Sequence, residues 1–229
     1  MRKPIYICFE GVDGSGKSTL YDKIIAYLRQ AGYNVYALCP TRSTCQCKDK
    51  ANCQCQNIEG KFNRNPELKK SSYERQFLYA YRSNYAAERI DWNADIILGD
   101  RSLITSYVCR WSNSEEDNRL LVERVNKLEY KIPAPEHVFY VEVSNEKVQE
   151  RLDKRCELTG VARDIDETEE RSKEMRRAYN YLINNPKAIE RINQVQWHIV
   201  NGDNSPDEVF AEALAEIKKI LSKSEGNFK

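Results

Sequence analysis

The chain has almost no histidine, almost no net charge and no long apolar run, and each shortage narrows what it can be. Its 229 residues include two histidines, His137 and His198, both beside short apolar runs of strand type. An imidazole base therefore has few candidates, and both are expected to be structural. Thirty-six lysines and arginines face thirty-five aspartates and glutamates, a net charge of +1, so no global field favours nucleic acid or an anionic membrane. Anion binding has to come from local geometry. No stretch of about 18 apolar residues is present, and the start "MRKPIYICFE" turns polar too soon for a secretory signal. The expected setting is a reducing cytoplasm, where thiols persist. Internal repeats and low-complexity tracts are missing as well.

What the chain does have is alternation. "PIYICFEG" (4–11), "NVYALC" (34–39), "ADIILGD" (94–100), "HVFYVEV" (137–143) and "WHIV" (197–200) are compact apolar runs, and helical patterns separate most of them. That order predicts an α/β fold of three layers, a five-stranded parallel sheet with helices on both faces. Helices are expected over 17–30, from the Asn65–Pro66 pair toward Ile90, and over 145–157, about 166–184 and 206–222. In the second of these, Phe77, Tyr81 and Tyr85 form one stripe, which is assigned to the core. At 41% hydrophobic content the reading is one domain over 1–229, large enough to bury roughly 70–75% of its unfolded surface. Two segments stay irregular, 40–65 and 157–165.

The residues Gly11, Val12, Asp13, Gly14, Ser15, Gly16, Lys17, Ser18 and Thr19 spell G-x-x-x-x-G-K-[ST] between a predicted strand and a predicted helix. In such a loop, backbone N–H groups turn inward around a β-phosphate and the helix N-terminus adds partial positive charge. Lys17 is expected to bridge the β- and γ-phosphates of ATP, and the Ser18 hydroxyl to be a ligand of Mg²⁺. "ADIILGDRS" ends its strand in Asp100, at the sheet edge that meets the loop, where it can reach the Mg²⁺ shell. Arg101 is placed in the cleft, suited to grip a second anion, with a capping aspartate and a surface arginine as the bland alternative. "ERLDKRCELTGVARDIDETEER" sets Arg151, Arg155 and Arg163 around a break in helical pattern, as a lid closing over transferring phosphates requires. Arg171, Arg176 and Arg177 are assigned to a solvated helix face.

Together these pieces resemble the thymidylate kinase family of P-loop nucleoside monophosphate kinases. "FEGVDGSGKSTL" is close to that family's opening motif, "CPTRST" to the loop after its second strand, "LYAYR" to its base-reading helix, "DRS" to its Asp-Arg-Tyr, and "VFYVEVSNEKVQERLDKR" to the approach to its lid. The resemblance implies transfer of the ATP γ-phosphoryl group to a deoxynucleoside monophosphate, most naturally dTMP or a related pyrimidine deoxynucleotide. It implies that Asp13 contacts the acceptor's 3′-hydroxyl, that Arg42 and Arg101 hold its phosphate and that Arg82 reads the pyrimidine edge. A dianionic phosphate is already a nucleophile, so no general base is needed and catalysis reduces to alignment and charge neutralisation. The chain departs from the pattern at Gly14, where some members carry an arginine, which leaves Arg155 and Arg163 as lid cations. It departs again at the thymine-stacking phenylalanine, here Leu78 with Phe77 beside it, and at Ser106 and Cys109, where base- and sugar-reading residues are common. A different or modified base stays open, as does the oligomeric state, a homodimer included.

Two other readings remain. A deoxyribonucleoside kinase shares the fold, with Asp100 as base, but leaves Asp13 and Arg42 without an obvious use. A zinc-containing nucleic-acid-binding protein with a degenerate phosphate loop lacks the basic, aromatic surface such binding needs.

The last feature is "TCQCKDKANCQCQN", residues 44–57, in which Cys45, Cys47, Cys53 and Cys55 make C-x-C-x₅-C-x-C. Four thiolates suit a closed, structural Zn²⁺ tetrahedron; unligated thiols, disulfides or an iron–sulfur cluster are the alternatives. The reading taken is zinc within an insert at about 43–62, ordering the connection behind Arg42, with a mobile lid at about 155–166.

Overall fold

The structure is a computed structural model that describes residues 3–41, 72–164 and 166–226. Five parallel strands carry it: β1 (Ile5–Glu10), β2 (Val35–Leu38), β3 (Ile96–Asp100), β4 (His137–Glu142) and β5 (Gln196–Asn201). Their order across the sheet is β2-β3-β1-β4-β5, and every pairing is parallel. All residues of β1 and of β3 are buried, as expected of interior strands covered on both faces, whereas the edge strand β5 is mostly accessible. The predicted strands are thus all present.

The chain steps from β1 outward to β2, back through β3, then across β1 to β4 and β5. The order therefore reverses around β1, and the carboxyl ends of β1, β3 and β4 frame a crevice. Helix α1 (Lys17–Gln30) buries Leu20, Ile24 and Leu28 against the sheet. On the same face it meets the last helix, Pro206–Gly226, through a Lys23–Asp207 ion pair of 2.6 Å and a Tyr27–Phe210 edge contact. The opposite face carries α2 (Tyr73–Ala87), α3 (Leu103–Val108), α4 (Glu115–Leu128) and α6 (Glu169–Asn184), with α5 (Asn145–Thr159) leading into α6. The Asn84 amide donates to Leu128 O at 2.7 Å, joining α2 to α4.

Helix starts are written in the sequence. Ser72, Ser102, Ser114 and Thr168 cap α2, α3, α4 and α6, each hydroxyl accepting a backbone N–H from two or three residues on at 3.1–3.2 Å. Each cap contributes on the order of 1 kcal/mol. The Asn65–Pro66 start expected for α2 lies outside the described residues. Helices α3 and α4 correspond to no predicted element. α4 buries only Leu121 and Val125, so its apolar stripe is too thin to stand out.

The aromatic stripe of α2 is not core. Phe77 is 58% exposed, Tyr81 and Tyr85 are half-buried and stack on each other, and the buried face is built of Gln76, Tyr79, Ala80, Ser83 and Ala86. His137 and His198 do pair structurally, Nδ1 to Nε2 at 3.1 Å, and burial lowers both pKa values. No helix among the described residues is long and apolar enough to cross a membrane.

Candidate active site

Residues 11–16 leave β1 and enter α1, so the phosphate loop lies at the crevice where the strand order reverses. Gly16 caps α1 from the left-handed region at φ 89°, which leaves the first N–H groups of the helix facing outward. Gly14 also has a positive φ, 80°, and a Cβ built there would lie 3.1 Å from Leu152 Cγ and 3.2 Å from Val148 O of α5. Any side chain at this point is strained by the positive φ and needs α5 to give by a few tenths of an ångström.

Two cavities meet at the loop and share Lys17 and Ser18. The first, about 370 Å³, is lined by Gly14–Leu20, by Arg151 and Arg155 of α5, and by Pro206 and Val209. The second, about 260 Å³, lies across the crevice under α2, where Asp13, Asp100 and Arg101 face Arg75, Tyr79 and Arg82. Thr105, Cys109 and Met175 complete its wall.

Charge is concentrated at the junction. Asp13 forms ion pairs with Arg101 at 2.5 Å and with Lys17 at 3.6 Å. Arg101 also donates to Gly11 O at 3.1 Å, and it adopts a left-handed φ of 70°, the only such non-glycine among the described residues. Burial by itself would lower the Arg101 pKa, but Asp13 and, behind it, Tyr179, Glu10 and Cys109 together outweigh burial and raise it. Lys17 is 7% exposed. Burial and then the neighbouring Arg101 lower its pKa to about 8, against the opposing pull of Asp13, Asp100 and Glu10. Ser18 and Asp100 line the second cavity together, and these hard oxygen donors fit a magnesium ion.

The arginines around the α5–α6 connection divide into two groups. Arg151 lies against the phosphate loop, donating to Ser15 O at 2.9 Å and to Gly202 O at 2.7 Å. Arg155 lines the first cavity while its fork is held by Glu167 at 2.8 and 2.5 Å. Burial would raise the Glu167 pKa, but Arg155 and the Asp164 N–H together lower it. Arg163 lines neither cavity; it is tied to Asp153 at 2.6 Å and to Gln149 O at 3.0 Å. Arg171 is no solvated charge either: 14% exposed, it bonds Glu174 and donates to Cys109 O.

In the second cavity, Arg82 lines the wall and donates to Thr41 O at 2.9 Å. Phe77 and Leu78 line neither cavity, the first pointing outward and the second buried at 1% exposure. The aromatic ring in the wall is Tyr79, with the Arg110 guanidinium 5.2 Å from its centroid. Ser106 is buried behind the wall, against Glu129, and Thr105 takes its place. Arg75, 9% exposed, lines the second cavity, and its Nε has no hydrogen-bond partner among the described residues. Sequence reasoning passed over Arg75 and Tyr79. Their spacing with Arg82, at i, i+4 and i+7, was the available signal. Arg42, Cys45, Cys47, Cys53 and Cys55 lie outside the described residues. Among the described residues, no group of three or more His, Cys, Asp or Glu side chains is arranged around a metal position.

The chain is 27% identical over 220 residues to a thymidylate kinase of Leptospira borgpetersenii, with 93% of each chain covered. It is 24% identical over 151 residues to a probable thymidylate kinase of Methanothermobacter thermautotrophicus, covering 64% of this chain and 69% of that one. The thymidylate kinase family model matches residues 9–212, from the strand before the phosphate loop into the last helix. The chain belongs to the thymidylate kinase family and is a nucleoside monophosphate kinase.

Proposed function

We propose that the enzyme transfers the γ-phosphoryl group of ATP to the 5′-phosphate of dTMP or a closely related pyrimidine deoxynucleotide. The observation that carries this is the pair of cavities meeting at Lys17 and Ser18. A hydrolase needs one organic site, whereas a transferase needs a second one opposite the first. The cavity between the phosphate loop and Arg151 is assigned to ATP, and the one between Asp13, Arg101 and α2 to the acceptor.

In that arrangement Lys17 neutralises charge on the β- and γ-oxygens, and Arg155 supplies the lid cation once it leaves Glu167. Arg101, held by Asp13 and Gly11 O, aligns the acceptor phosphate, with Arg42 as its second partner. Asp13 is assigned to the 3′-hydroxyl, Arg82 to the base edge, Tyr79 to the base face and Arg75 to acceptor oxygens. When bound with ATP at Ser18 and Asp100, magnesium screens charge on the transferring group. Neither histidine lines either cavity, which suits an acceptor phosphate that is ionised above a pKa of about 6 and needs no base.

ADP release should be assayed with ATP, magnesium and a panel of dTMP, dUMP, dCMP, dGMP and deoxythymidine. The reading expects dTMP or dUMP to lead and deoxythymidine to be inert. Turnover of deoxythymidine with none of the monophosphates overturns it. For the cysteine cluster we keep a structural zinc ion on Cys45, Cys47, Cys53 and Cys55.

A further inference from the structure

We propose that Glu10 is a positioning residue that fixes the turn carrying Asp100 and Arg101 and ties it to α6. This rests on the phosphoryl-transfer reading above, and concerns a residue to which that reading gives no role.

Glu10 is the only charged residue of β1 and is fully buried. An isolated buried carboxylate is costly, so its partners decide why it is there. Its Oε1 accepts from the Ser102 N–H at 2.8 Å and the Ser102 hydroxyl at 2.7 Å. Its Oε2 accepts from the Thr105 hydroxyl at 2.7 Å and the Tyr179 hydroxyl at 2.8 Å. Three of these donors come from the turn after β3 and the helix it opens, and the fourth comes from α6.

The turn needs such a hold. Arg101, at φ 70°, occupies the left-handed region, which is unfavourable for a residue with a Cβ. The last two residues of β1 pin both ends of it: Phe9 O accepts the Arg101 N–H at 3.0 Å, and Glu10 accepts the Ser102 N–H. If the second hold is released, Arg101 can relax to negative φ and swing its guanidinium away from Gly11 O and Asp13. The tie to α6 extends the effect. Arg171, Met175 and Tyr179 share one face of α6: Arg171 donates to Cys109 O, Met175 lines the acceptor cavity and Tyr179 bonds Glu10. Through Glu10, the helix that follows the Arg155–Glu167 pair is fastened to the acceptor side.

The test compares Glu10→Gln and Tyr179→Phe with wild type, reading steady-state KM for each substrate and calorimetric Kd for dTMP and for a non-hydrolysable ATP analogue. Glutamine keeps one acceptor for Ser102 but turns an N–H₂ toward Thr105 and Tyr179; phenylalanine deletes a single hydroxyl outside both cavities. Tyr179→Phe is expected to raise acceptor KM and Kd about 3–10-fold, and Glu10→Gln about 10–100-fold, with ATP values within ~2-fold. In the double variant, Tyr179→Phe should add less than ~2-fold to Glu10→Gln. A lowered Tm with both substrates binding as in wild type overturns the proposal and leaves Glu10 a purely structural carboxylate. So does an equal rise for both substrates. If wild-type enzyme neither binds nor phosphorylates any nucleoside monophosphate, the functional reading falls and takes this one with it. Should Glu10→Gln fail to fold, Tyr179→Phe decides alone.

Discussion

Affinity for ATP is expected to fall as pH rises through about 8, because that is where the free enzyme loses the Lys17 proton. Lys17 is buried beside Arg101, and Asp13, Asp100 and Glu10 restore only part of what burial removes. If the loop binds the nucleotide only with Lys17 charged, the apparent Kd grows as 1 + 10^(pH − 8), which is about 25-fold between pH 7.5 and 9.5. ATP itself is fully ionised across that range, so its own titration adds nothing. The assay is displacement of a fluorescent ATP analogue in the presence of magnesium, at constant ionic strength. Lys17→Arg, which stays charged throughout, should show a flat profile whatever its absolute affinity. The same shift bears on folding, with the opposite sense from a paired lysine. The pKa is lowered from 10.5 to about 8, so the apo protein carries a penalty of about 3 kcal/mol below pH 8 that fades as pH rises toward 10.5. Lys17→Met should therefore raise apo Tm more at pH 7 than at pH 10. A wild-type affinity that is unchanged up to pH 9.5, or a slope that persists in Lys17→Arg, refutes the reasoning.

Four further outcomes are expected. Arg75→Leu should raise the acceptor KM about 10-fold and leave the ATP KM within ~2-fold, since its guanidinium lines only the acceptor cavity. Arg155→Ala should lower kcat about 100-fold while Arg163→Ala changes it less than ~3-fold, because Arg163 is committed to Asp153 and Gln149 away from both cavities. Gly202→Ala should cost about 2 kcal/mol or more in thermal unfolding, as the new Cβ would lie 2.4 Å from Val143 Cγ2 and 2.8 Å from Val141 Cγ1. Protein purified without chelator should hold about one equivalent of zinc by elemental analysis, lost in Cys47→Ser together with a rise in acceptor KM; less than about half an equivalent counts against the metal.

The thymidylate kinase match leaves the deoxynucleoside kinase and nucleic-acid-binding readings without support. It also makes the misread parts of α2 instructive. Besides Leu78 and Tyr79, its buried residues are Arg75, Gln76, Ala80, Ser83, Ala86 and Ala87, mostly small or polar and poorly marked by hydropathy, while Phe77 is exposed and Tyr81 and Tyr85 are half-buried. The face presented to the crevice is a matter of about 100° per residue, and packing against α3 and α4 chose Arg75 and Tyr79 over Phe77 and Leu78.

By itself the sequence determined the parallel sheet and the phosphate loop, because strand, turn and helix N-terminus are contiguous and their chemistry is local. Asp100 and Arg101 were legible for the same reason, as the last residue of a buried strand and the one after it. Only the tertiary structure decided that Arg151 rather than Arg163 lies on the loop, and that Glu10 gathers donors 92, 95 and 169 residues away. Those choices depend on how distant elements pack around the crevice, and no short-range pattern encodes the distance between them.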